Sequence, residues 1–264
     1  MSIDLTRLRD DSKPLILMYH SITEYQQDPV NITIRPKRFE QHMNWLHQRG
    51  RRGTSIGQLV EAWRNNASSG LVGLSFDDGY ADFVDNALPV LQRYGFNATL
   101  FALAGRIGGD SSWIPEDPAK PLLTAEQIRE LGAGGIEIGS HGLLHQSLPA
   151  LEETALAEEI QQSRRILQDV SGQEVLGFCY PFGHVDERAI RTAQAAGYGY
   201  ACTVWPTGFT GDYALIRVNM LDGYSAAHLW YKGIRHWLRW EYEGPGSGTL
   251  VRADLWRKRR RSHL

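Results

Sequence analysis

Cysteine is nearly absent from this 264-residue chain: Cys179 and Cys202 are the two, and both lie in apolar, β-like runs. That leaves a buried, reduced thiol as the expected state of each, against a disulfide or a metal-ligand role. No stretch approaches the roughly 20 apolar residues a membrane-spanning helix needs. Met1 is not followed by a basic segment and an apolar one, so the chain as given is expected in the cytoplasm. Nothing resembles an interdomain linker, which points to one domain of a size normal for a single α/β barrel.

Net charge is also nearly absent, at −2, but it is unevenly spread. Residues 228–264 carry nine Lys/Arg and three Asp/Glu, a local +6 set against −8 in the rest, and the chain closes on Arg257-Lys258-Arg259-Arg260-Arg261. By default such a run is a solvated tail. The acidic body and the lack of a docking motif argue against a nucleic-acid partner.

What is present is a 42% apolar fraction and 27 glycines, the composition of a globular α/β protein with many strand-to-loop turns. Apolar β-like runs at 15–19, 71–76, 98–102, 136–138, 175–179, 198–204 and 214–218 alternate with helical patterns at 39–49, 55–65, 81–93, 124–131, 151–170 and 186–196. Alternation of this kind implies parallel strands joined by helical crossovers, and about seven strands favour barrel-like closure over an open sheet. Thr124-Ala125-Glu126-Gln127 reads as a capping box, and Gly50, Gly95 and Gly197 stand where helices end in a left-handed residue.

The most informative stretch is Ser75-Phe76-Asp77-Asp78-Gly79, where an apolar strand ends in two adjacent carboxylates. Neighbouring strand residues point to opposite faces, so both cannot be an ordinary solvated rim. A second strand runs into His141-Gly142-Leu143-Leu144-His145, and a third ends at Tyr180-Pro181-Phe182-Gly183. All lie past strand C-termini, the rim on which parallel α/β folds build their sites. Each piece has an ordinary explanation: Asp-Asp-Gly is common loop chemistry, and a His pair can cap or pack. Together they are expected to form the site of a mononuclear metallohydrolase. Asp78, His141 and His145 can hold a borderline metal such as Zn2+, and Asp77 is the free carboxylate beside it, the natural base. The backbone N–H of Phe182 can face an oxyanion, and His20, at the end of the first strand, is the candidate acid.

These residues resemble the motifs of the polysaccharide deacetylase family (NodB homology, carbohydrate esterase family 4). Ser75–Gly79 is similar to its first motif and His141–His145 to its second, and the likeness continues through Ala98-Thr99-Leu100-Phe101 and Tyr180–Gly183, covering about residues 14–220. The resemblance implies a distorted (β/α)7 barrel in which Asp77 is the base and Asp78, His141 and His145 bind a divalent metal, usually zinc. It implies an N-acetylated glycan or glycolipid as substrate, with deacylation of an O-acetyl ester, an N-formyl group or a small amide, or silent glycan binding, as alternatives. The family's third motif begins with an arginine that orients the base; here that position is Cys179, which leaves Asp77 without its guide. Gly142 stands where the family has Ser or Thr, so a hydrogen bond supporting the metal loop is expected to be missing and metal affinity weaker. No late Leu-x-His motif supplies an acid, but Tyr19-His20 resembles the early Tyr-His motif of the poly-N-acetylglucosamine deacetylase branch.

The expected organisation is an N-terminal extension at 1–13, the barrel at 14–225, and an aromatic and basic helix and tail at 226–264. In that last segment Trp230, Ile234, Trp237 and Leu238 share one helical face, with Lys232, Arg235, His236 and Arg239 around it. Such a helix packs its apolar face on the barrel, or lies in a headgroup layer and gives peripheral contact at the inner membrane face.

Overall fold

A computed structural model describes residues 15–204, 209, 211–225 and 228. The segments expected at 1–13 and, apart from His228, at 226–264 lie outside them. Among the described residues no helix is long and apolar enough to cross a membrane.

The chain begins with β1 (Ile16–Tyr19) and a small two-stranded pair, β2 (Ser21–Ile22) and β3 (Thr33–Ile34). Then come α1 (Pro36–Gln48), β4 (Arg52–Thr54), α2 (Ile56–Arg64), β5 (Leu71–Phe76) and α3 (Leu88–Tyr94). After β6 (Thr99–Ala102) follow α4 (Ala125–Ala133), β7 (Glu137–Ser140), α5 (Glu153–Ser171), β8 (Gly177–Cys179), α6 (Glu187–Ala195), β9 (Tyr200–Thr203), β10 (Leu215–Ile216) and β11 (Val218–Asn219). Local chemistry sets the ends. Ser55 accepts from Gln58 N–H to start α2, Thr124 and Gln127 form the capping box of α4, and Asp186 caps α6. Gly50, Gly95 and Gly197 all take positive φ.

The helix expected over 81–93 is not one α-helix. Phe83–Ala87 forms a π-helical turn before α3, and Pro89 falls in the first turn of α3. A proline within a continuous helix would lose a hydrogen bond and clash with the preceding turn, whereas at a helix start it costs little.

All pairings of the main sheet are parallel, in the order β10-β9-β8-β7-β6-β5-β1-β11, with β4 added beside β5. The two ends of that order are one piece of chain. The single strand expected at 214–218 is broken at Arg217: Leu215 pairs with Cys202 on β9, while Val218 pairs with Leu17 on β1. The break lets one short segment bridge both edges, so the sheet becomes a nearly closed, distorted parallel barrel of the expected α/β class.

Alternation divides the strand residues into two cores. Leu17, Tyr19, Leu74, Phe76, Leu100, Ile138 and Phe178 pack with the helices. Ile16, Phe101, Cys179, Tyr200, Cys202 and Leu215 form a separate cluster inside the barrel, joined from below by Ile56 and Leu59 of α2. The lumen is crowded enough that a Cβ at Gly139 would lie 2.5 Å from the Phe101 ring.

The bottom of the barrel is sealed by Glu137. Its carboxylate accepts from Gly57 N–H (2.9 Å) at the start of α2, from Thr99 Oγ1 (2.7 Å) and from the Tyr200 hydroxyl (2.9 Å). A carboxylate at a helix N-terminus also complements the helix dipole. Glu137→Ala would strand these donors and is expected to destabilise the protein by about 2 kcal/mol, the order of losing charge-assisted hydrogen bonds at a half-buried site. Urea unfolding checks this, and metal binding at the opposite rim should be unchanged in the folded variant.

Candidate active site

At the top of the barrel the same alternation that fills the lumen turns polar groups inward. β5 runs out into Asp77 and Asp78, both buried at 2% and 3% exposure. Asp78 takes φ +70° and Gly79 φ +80°, a left-handed turn that swings consecutive carboxylates into one cavity. Among the described residues five non-glycine residues have positive φ, and three of them, Asp78, His145 and Phe182, were singled out from the sequence as site residues. The other two are asparagines, which tolerate this conformation. Backbone strain concentrated in this way is a mark of functional sites.

Asp78, His141 and His145 converge. Asp78 Oδ1 lies 3.4 Å from Nε2 of each histidine, and it has no hydrogen-bond partner. For an ion bound tetrahedrally at about 2.0–2.2 Å, ligand atoms sit about 3.3–3.6 Å apart, so the spacing is that of a metal site. The protonation states agree. Burial lowers both imidazoles, to about 4 each, so both are neutral at pH 7. The Cys179 carbonyl can only accept, so His141 Nδ1 donates to it (2.8 Å) and Nε2 keeps its lone pair toward Asp78. Burial raises the Asp78 carboxyl, with Asp77 adding to the rise. A buried carboxylate with one oxygen unpartnered, facing two neutral imidazoles, is a donor set that fits a divalent cation.

Asp77 is held differently. Burial would raise its carboxyl, but the Arg217 guanidinium outweighs this by charge and by hydrogen bonds, and holds it well below the usual range. Arg217 Nη1 donates to Asp77 Oδ1 (2.6 Å) and Nη2 to Oδ2 (2.7 Å), with Arg217 itself 2% exposed. This corrects the expectation that Cys179 leaves Asp77 without a guide. The guanidinium arrives from the strand break between β10 and β11, and Nη2 also contacts Cys179 Sγ at 2.9 Å. Its signal was present in the sequence as a lone arginine inside an apolar β run, a residue that is buried only when paired. Asp77, His141 and Cys179 also come together closely enough to hold an ion, but Arg217 already occupies the face of Asp77 and Cys179 and repels one.

His20, half-buried just past β1, is close enough for its charge to act on Asp77, Asp78 and His145. Two other histidines have partners elsewhere: His184 Nδ1 meets Ser147 Oγ at 2.9 Å, with its ring 5.6 Å from that of Phe182, and His228 stacks on Tyr224. Phe182 stands 51% exposed with its ring edge against His145, centroids 4.4 Å apart, and Trp113 packs on the same imidazole. Cys179 and Cys202 are buried free thiols.

Residues 64–201 match the family model described as Polysaccharide deacetylase. The chain belongs to the polysaccharide deacetylase family. It is 32% identical over 217 residues, 80% of this chain and 73% of the other, to YxkH of Bacillus subtilis, a protein named after the same family. The poly-beta-1,6-N-acetyl-D-glucosamine N-deacetylase of Staphylococcus aureus is 20% identical over 205 residues, 73% of this chain and 69% of that one. Among solved structures, the deacetylase PplD of Streptococcus pyogenes, in complex with acetate, superposes with a TM-score of 0.71 at 24% identity, covering 83% of this chain and 96% of that one. The family is one of hydrolases, and its barrel carries here a candidate buried metal site of Asp78, His141 and His145.

Removing Arg217 leaves Asp77 buried and unpaired. Arg217→Met is expected to destabilise the protein by about 3–5 kcal/mol at pH 7. Asp77 is depressed in the native wild type, so its contribution is complete above the ordinary carboxylate pKa and is lost on acidification below it. In the variant the carboxyl is raised instead and takes a proton sooner. The difference between variant and wild type should therefore shrink as pH falls through the carboxylate range. Urea unfolding from pH 7 to pH 4 measures it, and a constant difference would contradict the pairing.

Proposed function

We propose that the protein is a metal-dependent hydrolase that removes N-acetyl groups from an amino sugar in a polysaccharide or glycolipid, releasing acetate and leaving a free amine. The observation that carries this is the pairing of a three-donor metal set with a separate carboxylate, Asp77, kept ionised beside it. Asp78 Oδ1 and Nε2 of His141 and His145 would hold the ion. A divalent ion there supplies Lewis-acid polarisation of the acetyl carbonyl and a water of lowered pKa.

The chain's own groups do the rest. Asp77 takes the proton from the attacking water; Arg217 fixes both of its oxygens so that the base does not rotate away or bind the ion itself. The Phe182 N–H is proposed as the donor to the developing oxyanion, on a backbone fixed in a left-handed turn. His20, near the two aspartates, is proposed to donate a proton to the departing sugar nitrogen as the tetrahedral species collapses. The exposed Phe182 ring and Leu144 offer apolar surface at the mouth for the C–H face of a sugar. The name of the S. aureus relative and the Tyr19-His20 motif favour a β-linked N-acetylglucosamine polymer. A cytoplasmic enzyme with residues 226–264 at the inner membrane face would meet it as a lipid-linked glycan.

Acetate release from the zinc-loaded protein, assayed on N-acetylglucosamine oligomers, acetylxylan, small N-acyl amides and lipid-linked sugars, tests the reading. Acetate from the oligomers is expected. Release only from acetylxylan or the small amides would move the substrate to an ester or simple amide, and glycan binding with no release from any of them would make this a silent barrel. Asp77→Asn should keep the metal and lower kcat by roughly 10²–10⁴. His20→Ala should keep metal and substrate affinity and suppress amide hydrolysis far more than hydrolysis of an ester with a good leaving group, which departs without a proton. Equal loss on both substrates would remove His20 from the acid role.

A further inference from the structure

The two histidine ligands are four residues apart but not on a helix. Gly142 has φ +83° and His145 φ +63°, so spacing alone does not bring their rings together. The turn between them is gripped from two sides. The carbonyls of Gly142 and Leu143 accept from Ala104 and Gly105 N–H, each at 3.0 Å, on the turn that follows β6. On the other side, one carboxylate oxygen, Glu159 Oε2, accepts both Leu143 N–H (2.7 Å) and Leu144 N–H (3.3 Å).

Glu159 is out of place by the ordinary rules of a surface helix. Its neighbour Glu158 on α5 is exposed, whereas Glu159 is 4% exposed. Burying a carboxylate is costly unless it is hydrogen-bonded. What it gains is the backbone of the metal loop. The glycine at 142 belongs to the same arrangement: a Cβ there would lie 2.9 Å from Glu159 Oε2, closer than real contacts allow.

Resting on the metal reading of the site, we infer that Glu159 is a positioning residue for that metal: it holds the segment between His141 and His145 in the shape that turns both imidazoles onto Asp78. Gly142 is required because the carboxylate fills the space a side chain would take. The hydrogen bond expected to be missing for want of Ser or Thr at 142 is therefore replaced by the two that the loop makes to Glu159 of α5. The hydrogen bonds of Glu159 go to the loop backbone and to none of the three donor side chains, so it acts through the loop.

The test is zinc affinity of the metal-stripped protein, by competition with a chromophoric chelator, in wild type, Glu159→Ala, Glu159→Gln, Gly142→Ser and the Gly142→Ser/Glu159→Ala double variant. Circular dichroism and thermal melting of each metal-free protein accompany it. Glu159→Ala should weaken zinc binding 10–100-fold, the usual worth of a group that orients a ligand. Glu159→Gln keeps an acceptor oxygen and should lose less, which preserves the test if the alanine variant folds poorly. Gly142→Ser should weaken zinc binding in the wild-type background and cost clearly less once Glu159 is alanine. Wild-type zinc affinity in Glu159→Ala, even with a lowered melting temperature, would overturn the inference, as would an equal effect of Gly142→Ser in both backgrounds. Failure of the wild-type protein to bind zinc would instead overturn the metal reading, and this inference with it.

Discussion

Two carboxylates on adjacent residues, both removed from water, cannot both stay ionised unless each has a cation of its own. At ordinary protein dielectric, like charges a few ångströms apart cost several kcal/mol, and desolvation adds to that. In this barrel Asp77 has Arg217 as its cation, with a two-point contact to both oxygens. Asp78 has no guanidinium or ammonium partner; Nε2 of each of two neutral imidazoles lies 3.4 Å from its Oδ1. The asymmetry divides the labour. The paired carboxylate has both oxygens taken by the guanidinium, which suits the base proposed for it; the other keeps Oδ1 open toward the two imidazoles, which suits the ligand proposed for it. Exchanging the roles would require the guanidinium to move to the other residue.

The closure of the barrel depends on the same arginine. An unbroken strand would have only one row of inward side chains and would pair with β9 and β1 in a single register. The break at Arg217 lets Leu215–Ile216 pair with β9 and Val218–Asn219 with β1, and it places a long charged side chain at the height of Asp77. A buried ion pair is poor evidence for stability in general, because desolvation offsets its Coulombic gain. Here its physical role is geometric: it fixes the Asp77 carboxylate and locates the seam where the sheet meets itself.

Much of this was legible in the sequence because it rests on period and adjacency. Alternating apolar runs gave the parallel strands, and the strand 71–76 begins and ends where the apolar run does. Asp77, Asp78, His141, His145, Phe182 and His20 each follow a strand, and strand C-termini share one rim, so the sequence pattern places them at one end of the barrel. What stayed hidden acts across long sequence separations. Arg217 is 140 residues from Asp77. Glu159 looks like one more helical glutamate until the loop it bonds is folded beside it. The π-helical turn before Pro89 and the split strand at 215–219 are departures from regular period, made by tertiary closure that local pattern does not encode.

The same reasoning explains Cys179. A third-motif arginine at that position would reach Asp77 from β8, but Arg217 already reaches it from the seam, and two guanidiniums on one buried carboxylate would leave one cation uncompensated. A small neutral side chain is what the space then permits. Cys179 Sγ lies 2.9 Å from Arg217 Nη2 and 3.6 Å from Asp77 Oδ2, packed against the ion pair. Burial raises the thiol far above its ordinary range, so it contributes no charge to the balance despite the guanidinium beside it. The arginine at the seam therefore gives Asp77 the pairing that one at position 179 would give it, with both oxygens of the buried carboxylate held.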